Sequence, residues 1–292
     1  MQFMGYRRED GRVGVRNYVL ILPGCACASE TCRLVASEVR GTKNVIMNVG
    51  CSDVQANTDM NLRVLTGFAL NPNVFGVIVI GLGCETVGHR ELAAKIRAET
   101  SKPVVSFGIQ EIGGTVATTA AAVKAAREMV AQASEQQREP CDASDLFVAI
   151  ECGGSDATSG IASNPAVGNM SDRIVDLGGT TMMSETIEFV GAEHILAKRG
   201  ATPEIHDQII RICEDYEKHL AGVGQDCRTG QPTTGNKAGG LSTIEEKSLG
   251  CIHKGGTRPV VEVLQEAARP TKKGALIMDT PGYDISSVTS MV

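Results

Sequence analysis

The sequence predicts an α/β protein with two successive domains, each a parallel β-sheet with flanking helices. Short apolar runs alternate along the chain with longer segments of helical periodicity, which is the pattern of β–α repeats. Residues 74–80 (VFGVIVI) are the clearest such run, and their near-continuous β-branched character is typical of a strand buried on both faces of a parallel sheet. Many of the 33 glycines punctuate the ends of these runs.

The first half reads as four β–α repeats. Strands are predicted at residues 17–22, 44–49, 74–80 and 104–107, each followed by a helix, at about 29–40, 54–70, 90–100 and 115–132. The polar segment 134–144 is the best candidate linker. We therefore expect a first domain over residues 1–138 and a second over 139–292.

The second half opens with a predicted buried strand at residues 146–150. Further strands are predicted at 180–183 and 275–278, and helices at 164–176, 192–199, 203–221, 242–249 and 258–268. Residues 222–240 lack periodicity and are predicted to be a functional or disordered loop. No terminal element is expected before Val292.

Composition limits the functional classes. The formal net charge is −6 and no apolar run reaches the length of a bilayer span, which argues against nucleic-acid binding and membrane insertion. No signal peptide is recognisable at the N-terminus, so a cytoplasmic location is expected. The 10 cysteines are then expected to be thiols or ligands rather than disulfides. The chain has neither a Walker A motif nor a Gly-x-Gly-x-x-Gly motif opening a helix, which disfavours a nucleotide site.

The segment 150–168 (IECGGSDATSGIASNPAVG) is the strongest functional candidate. It places Ser155, Asp156 and Asn164 among glycines just after a predicted strand, where open α/β sheets bind ligands. The alternative is a plain turn into a helix begun by Asn164-Pro165.

Four thiols follow predicted strands: Cys27, Cys51, Cys84 and Cys152. If those strands share one sheet edge, the thiols converge there and suit a soft metal, an iron–sulfur cluster or a redox-sensitive iron site. A buried free cysteine without function is the alternative for any one of them.

Carboxylates also lie near strand ends or glycines; they are Glu85, Glu151, Asp156, Glu185, Glu188, Asp279 and Asp284. Such oxygen ligands hold Mg²⁺, Mn²⁺ or Fe²⁺. Lys237 and Lys254, each among glycines, are candidates to bind a substrate carboxylate, and Arg16 ends an arginine cluster that is either a solvated loop or an anion clamp.

Several motifs resemble one family. The opening GYRREDGRVGVRNY, GLGCE at 81–85, CGGSD at 152–156, SET at 184–186, GNKAGGL at 235–241 and MDTPGYD at 278–284 are similar to the large domain of altronate and galactarate dehydratases, along nearly the whole chain. The resemblance implies a hydro-lyase that converts a sugar acid to a 2-keto-3-deoxy acid with Fe²⁺ or a similar divalent metal such as Mn²⁺ or Mg²⁺. A related branch splits sulfite from sulfolactate with separate small and large subunits.

Three departures from the family pattern matter. The small N-terminal, SAF-like domain of the dehydratases is not in this sequence, the His-Gly-x-Gly-Cys motif appears as Asn48-Val49-Gly50-Cys51, and Ser-Glu-Thr-Pro-Glu carries Ile187 in place of proline. The family also continues beyond the residue that matches Val292. The chain is therefore expected to be a truncated large subunit that needs a small subunit or domain.

We thus expect a lyase acting on a small hydroxy acid, in a homo-oligomer. The expected metal ligands are Cys27, Cys51, Cys84, Cys152 and Glu85; the expected catalytic residues are Lys237, Glu185 and Asp156; and the expected substrate-binding residues are Arg16, Ser155, Asn164 and Lys254. The general base is left open between Lys237, Glu185 and a residue on an absent domain. The alternatives are a sulfolactate sulfo-lyase large subunit, an iron–sulfur dehydratase and a non-catalytic sugar-acid-binding paralogue.

Overall fold

The computed structural model describes all 292 residues and contains two compact units, Gln2–Cys141 and Asp142–Val292, the latter together with Met1. Both units are α/β with a parallel sheet and flanking helices, so the predicted fold class is confirmed. No helix has the length and apolar character needed to cross a membrane.

The first unit is organised around four parallel strands in the order β4-β3-β5-β6, beside a small sheet in the order β2-β1-β7. Its strands are β1 (Gln2–Arg7), β2 (Val13–Gly14), β3 (Tyr18–Pro23), β4 (Thr42–Asn44), β5 (Val74–Gly81), β6 (Val104–Gly108) and β7 (Glu139–Asp142). Its helices are α1 (Ala26–Glu38), α2 (Gln55–Leu70), α3 (His89–Glu99), α4 (Ile109–Ile112) and α5 (Thr115–Glu135).

The second unit has four parallel strands in the order β10-β11-β9-β8. They are β8 (Phe147–Ile150), β9 (Thr180–Met183), β10 (Val260–Leu264) and β11 (Ala275–Met278). The helices are α6 (Asn164–Asp176), α7 (Glu193–Leu196), α8 (Pro203–Gly222), α9 (Cys227–Gly230), α10 (Thr234–Ala238), α11 (Ile244–Cys251) and α12 (Asp284–Met291). A π-helical turn (Ser159–Ser163) precedes α6, and single helical turns span Thr186–Glu188 and Ile252–Gly255.

Alternation along the strands divides each sheet's apolar residues between two cores. In β3, Val19 and Ile21 pack on one face with α1 and α5, whereas Leu20 and Leu22 pack on the other with α2 and α3. In the second unit, Ile277 of β11 faces one cluster and Leu276 faces the other. Each sheet therefore packs apolar residues on both of its faces, as the β-branched runs predicted.

Several predicted elements are wrong. Where a helix was predicted at 258–268, residues Val260–Leu264 form strand β10, because Val260, Val261 and Val263 favour an extended chain beside β11. The expected loop at 222–240 holds two short capped helices, α9 and α10, and α12 follows residue 283. Strand β8, expected to be buried, is the edge strand of its sheet, and Phe147 is 46% exposed.

One close approach positions the turn Ile252–Gly255 against α6. A Cβ atom on Gly168, in the middle of α6, would lie 2.1 Å from the backbone oxygen of His253. Only a glycine lets the two backbones come this near.

We therefore expect Gly168→Ala to lower the free energy of unfolding by about 1–3 kcal/mol, because the turn must move away from the helix. Gly222→Ala, at the end of α8 with no atom within 4 Å of its added Cβ, should leave stability unchanged or raise it. Denaturant unfolding monitored by circular dichroism measures both. Equal stability of the two variants would contradict the close approach.

Candidate active site

Polar residues collect where three neighbouring strands of the second sheet end. Strand β8 leads into Glu151 and Cys152, β9 into Ser184 and Glu185, and β11 into Asp279 and Thr280. Strands β8 and β11 both pair with β9, so these segments lie side by side at the carboxyl edge, where α/β sheets bind ligands.

A buried lysine binds two buried glutamates at this edge. The Nζ atom of Lys254 donates to Glu185 Oε2 at 3.1 Å and to a carboxylate oxygen of Glu188, and each of the three side chains is at most 4% exposed. Burial alone would lower the pKa of Lys254, but the charges of Glu188 and Glu185 hold that pKa above its usual value. Lys254 is therefore an ammonium ion whose positive charge is already balanced by the two carboxylates.

A second lysine completes the surroundings of Glu188. Lys247 of α11 lies with its Nζ atom 3.6 Å from Glu188 Oε1 and donates to Gln231 Oε1 at 3.0 Å. Burial acts to raise the pKa of Glu188, yet the charge of Lys254, with a smaller contribution from Lys247, holds that pKa below its usual value. Glu188 is thus an ionised side chain between two cations.

Glu185 sits in a strained backbone conformation. Its φ angle is +69°, in the left-handed region that non-glycine residues rarely adopt. The conformation is held by hydrogen bonds: the Glu185 amide donates to Thr280 Oγ1 at 2.9 Å, and the Cys152 amide donates to Glu185 Oε2 at 2.9 Å. Strain of this kind persists where the surrounding structure fixes a functional side chain. Burial raises the pKa of Glu185, and the charge of Lys254 opposes that rise.

Glu151 has one satisfied and one unsatisfied oxygen. Ser184 Oγ donates to Oε2 at 2.8 Å, whereas Oε1 is buried without a hydrogen-bond partner. Burial, with a further contribution from the Glu185 charge, raises the pKa of Glu151 to about 7. An orphaned carboxylate oxygen beside another carboxylate is a place where a cation would be stabilising.

Two groups of side chains at this edge have ligand atoms within 4.8 Å of one another: Glu151 with Glu185 and Asp284, and Cys152 with Glu185 and Glu188. The Lys254 ammonium already binds both glutamates of the second group. The first group shares Glu185 with the second but adds two carboxylates that Lys254 does not bind, Glu151 with its orphaned oxygen and Asp284, and it is the better fit for a metal ion. Its all-oxygen donor set suits Mg²⁺, Mn²⁺ or Fe²⁺ rather than a thiophilic metal.

The glycine-rich segment after Cys152 is a loop beside this cluster. The Ser155 hydroxyl lies 3.5 Å from Cys152 Sγ, and Asn164 Nδ2 donates to the Gly250 carbonyl at 3.0 Å. Asp156 Oδ1 accepts from the Thr158 hydroxyl and the Ser159 amide, both at 2.7 Å, so its carboxylate stabilises the start of the following helical turn. Asp156 and Asn164 were predicted to act on substrate; Asp156 has partners within its own turn, and Asn164 has one on α11.

The two predicted lysines have opposite environments. Lys254 is buried and paired with two carboxylates, so it cannot offer a free charge to a substrate anion as predicted. Lys237, on α10, is exposed and has no side-chain partner.

The prediction that four thiols share one sheet edge is wrong, because their strands belong to two different sheets. Cys27, Cys51 and Cys84 are exposed residues of the first unit, whereas Cys152 follows β8 in the second. None of the first three belongs to a compact group of metal-ligating atoms. All ten cysteines are free, as expected.

Two other predicted site residues also belong to the first unit. The carboxylate of Glu85 accepts from the backbone amides of Leu82, Gly83 and His89, and these donors outweigh burial and lower its pKa. Arg16 precedes β3 and so lies at the amino end of that sheet, where its Nη1 donates to the Val15 carbonyl. The role predicted for Arg16, substrate binding, stays a prediction.

Sequence reasoning did not select Glu151, Glu188, Asp284 or Lys247 as site residues. The first three were visible as carboxylates near strand ends. The spacing of Glu185 and Glu188 was not a helical signal, because Glu185 precedes the turn Thr186–Glu188 and has a left-handed backbone. Lys247 gave no signal, since it lies on a helix remote in sequence.

The raised pKa of Glu151 predicts a pH dependence. Between its ordinary value of 4.5 and about 7, the folded protein keeps a proton that the unfolded chain has lost, so stability of the metal-free protein should fall as pH rises through this interval. Glu151→Gln should remove that fall, which unfolding temperatures in chelator-treated buffer will show. Glu128→Gln, at an exposed carboxylate of α5, should keep the wild-type pH dependence. The same slope in wild type and Glu151→Gln would contradict the assignment.

Comparison with known proteins agrees with this architecture. Residues 5–134 match the family model described as D-galactarate dehydratase/altronate hydrolase, second domain, and residues 143–292 match the model described as D-galactarate/altronate dehydratase, C-terminal. The two matched regions correspond to the two compact units.

Curated relatives match over almost the whole chain. The (2R)-sulfolactate sulfo-lyase subunit beta of Chromohalobacter salexigens is 41% identical over 98% of this chain and 73% of its own length. The altronate dehydratase of Bacillus subtilis is 33% identical and the galactarate dehydratase (L-threo-forming) of Escherichia coli 34% identical, each over 99% of this chain. The chain spans 59% of the length of either dehydratase. With both units matched, the chain belongs to the galactarate and altronate dehydratase family.

Proposed function

We propose that this chain carries the catalytic part of a metal-dependent hydro-lyase that dehydrates a sugar acid, such as altronate or galactarate, to a 2-keto-3-deoxy acid. The observation that carries the proposal is the carboxylate cluster at the ends of β8 and β9, with its orphaned Glu151 oxygen and its strained, buried Glu185. The names of the relatives, which are dehydratases and a sulfo-lyase, support a lyase.

The reaction needs a base beside C2, the substrate carbon that carries the carboxylate. A base removes the proton from C2 of the 2-hydroxy acid, the C2–H electron pair forms a C2–C3 double bond, and the C3 hydroxyl leaves with a proton as water. The resulting enol takes a proton at C3 and becomes the 2-keto-3-deoxy acid. Negative charge accumulates on the substrate carboxylate during the first step, so a cation near that carboxylate accelerates it.

We assign Glu185 as the base and Glu151 with Asp284 as the residues that hold the metal. Lys254 and the Cys152 amide fix the Glu185 carboxylate in place. Lys254 itself is charged and paired, so it cannot accept a proton, and Glu188 lies between two lysines.

Fe²⁺ is our proposed metal, with Mn²⁺ or Mg²⁺ able to replace it, because the donors of Glu151 and Asp284 are oxygens. When bound, a divalent ion supplies the positive charge that stabilises the enolate-like transition state and the departing hydroxyl. The neutral form of Glu151 would be lost in the metal-bound protein, since an adjacent cation favours the carboxylate.

A second candidate is the large subunit of a sulfolactate sulfo-lyase, favoured by the 41% identity to such a subunit against 32–34% for the dehydratases. The chemistry differs only in the leaving group: loss of the C2 proton expels sulfite from C3, and the enol becomes pyruvate. The partner in this case is a small subunit, added in trans.

The test is keto-acid formation by anaerobically purified protein with Fe²⁺, Mn²⁺ or Mg²⁺, with and without a candidate small subunit. Substrates are altronate, galactarate and (2R)-sulfolactate, with sulfite measured for the last. Release of a keto acid from a sugar acid supports the dehydratase, and release of sulfite with pyruvate supports the second candidate. Metal-independent thermal stabilisation by a sugar acid, without turnover under any condition, would indicate a binding protein and overturn both.

Substitutions should separate metal binding from proton transfer. Glu185→Gln should reduce kcat by at least about 100-fold while metal affinity falls less than in Glu151→Gln or Asp284→Asn, because proton transfer by a positioned base contributes roughly 10²–10⁴-fold. Glu151→Gln and Asp284→Asn should instead weaken metal binding, measured by calorimetry with Mn²⁺, and recover activity at higher metal concentration. Loss of metal binding in Glu185→Gln with normal binding in the other two would reverse the assignment.

A further inference from the structure

Lys237 is an exposed cation on a short helix that is anchored to the candidate site. Helix α10 (Thr234–Ala238) begins with a reciprocal cap, in which Thr233 Oγ1 accepts from the Asn236 amide and Asn236 Oδ1 accepts from the Thr233 amide. The cap fixes the conformation of the helix that carries Lys237. The Lys237 ammonium has neither a hydrogen-bond nor an ion-pair partner.

Asn236 and Gly239, on either side of Lys237 in the sequence, contact the glycine-rich loop of the site. Asn236 Nδ2 donates to the Ser155 carbonyl at 2.8 Å, and the Ala157 amide donates to the Gly239 carbonyl at 3.0 Å. The approach is close, because a Cβ atom on Gly239 would lie 2.7 Å from Asp156 Cβ. Helix α10 therefore packs directly against this loop.

The loop connects α10 to the carboxylate cluster. The Ser155 hydroxyl lies 3.5 Å from Cys152 Sγ, and the Cys152 amide donates to the Glu185 carboxylate at 2.9 Å. Three short contacts thus lead from the residue next to Lys237 to the proposed base. A lysine side chain, with its four-carbon stem, can move its charge over the space beside such a loop.

Other cations near this edge are already engaged. Lys254 is bound by Glu185 and Glu188, and Lys247 lies between Glu188 and Gln231. Arg199 donates to the carbonyl oxygens of Gly255 and Arg258. Lys237 is left as an uncompensated positive charge beside a site that otherwise carries negative charge.

We infer that Lys237 binds a second anionic group of the substrate, a carboxylate remote from the carboxylate next to the reacting carbon. The enzyme should therefore prefer dianionic sugar acids to monoanionic ones of the same skeleton. This inference rests on the proposed function, and of the two roles predicted for Lys237, catalysis and binding of a substrate carboxylate, it keeps the second. An unpaired ammonium contributes most to the binding free energy when it contacts an anion that is partly shielded from water.

The test compares galactarate with galactonate, two acids in which only the remote group differs. Calorimetry on the full chain with Mn²⁺ gives Kd, and turnover gives kcat and KM where it occurs. Wild type should bind galactarate roughly tenfold more tightly than galactonate, equivalent to one charge-assisted contact of about 1.4 kcal/mol. The advantage should shrink as salt is raised.

Lys237→Met should remove that advantage while leaving the affinity for the monoanion unchanged, and Lys237→Arg should keep most of it. Lys198→Met, at another exposed lysine of the same unit, should behave as wild type. For a substrate that turns over, Lys237→Met should raise KM and leave kcat unchanged. Loss of a catalytic base would instead lower kcat.

The outcomes separate this inference from the proposed function. If Lys237→Met turns over substrate but loses affinity equally for the dianion and the monoanion, the inference is overturned and the proposed lyase function stands. A Lys237-dependent preference for dianions without turnover would support the inference and count against catalysis by this chain. No preference for galactarate in wild type, or no binding of either acid, would overturn the inference.

Discussion

The ion cluster of Lys254 with Glu185 and Glu188 is the interaction on which the candidate site depends. A lysine so deeply buried is stable as a cation only beside carboxylates, and each glutamate requires the lysine for the same reason. The cluster joins the turn Ile252–Gly255 to the segment after β9, and Glu185 in turn accepts from the amide that follows β8. Three segments distant in sequence are thereby fixed around the Glu185 carboxylate.

This constraint also explains how a strained residue persists. The left-handed backbone of Glu185 would relax if its side chain were free, but Lys254, Cys152 and Thr280 each hold one part of it. Glu151, by contrast, has a single donor and an orphaned oxygen, and it faces the same space. The site therefore combines a rigid carboxylate with one that is ready to bind a cation.

The fold was largely predictable from the sequence because strands buried on both faces leave a strong local signal. Strand β5 is an example, since its run of β-branched residues strongly favours a buried strand over a helix or a loop. Strand β10 was missed because only five residues are extended and the Glu-Ala-Ala stretch after them resembles a helix. The edge position of β8 depends on strand order, which no local pattern encodes.

The site was predictable in composition but not in arrangement. Glycines and carboxylates after strands directed attention to residues 151–156 and 184–188, and side chains of these two segments lie close together in the structure. The pairing of Lys254 with two glutamates could not be predicted, because it depends on the close approach at Gly168 that brings its turn against α6. The convergence of four thiols failed for a related reason: equivalent positions after strands meet only when the strands share a sheet, and these strands belong to two.

The most direct measurement is a double-mutant cycle on the free energy of unfolding with Lys254→Met and Glu188→Gln. A buried pair predicts that Lys254→Met alone costs about 3–5 kcal/mol and that the double variant is less destabilised than the sum of the single ones by at least about 1 kcal/mol. Single costs below about 1 kcal/mol that add independently would contradict the account, because Lys254 would then not be the buried partner of these glutamates.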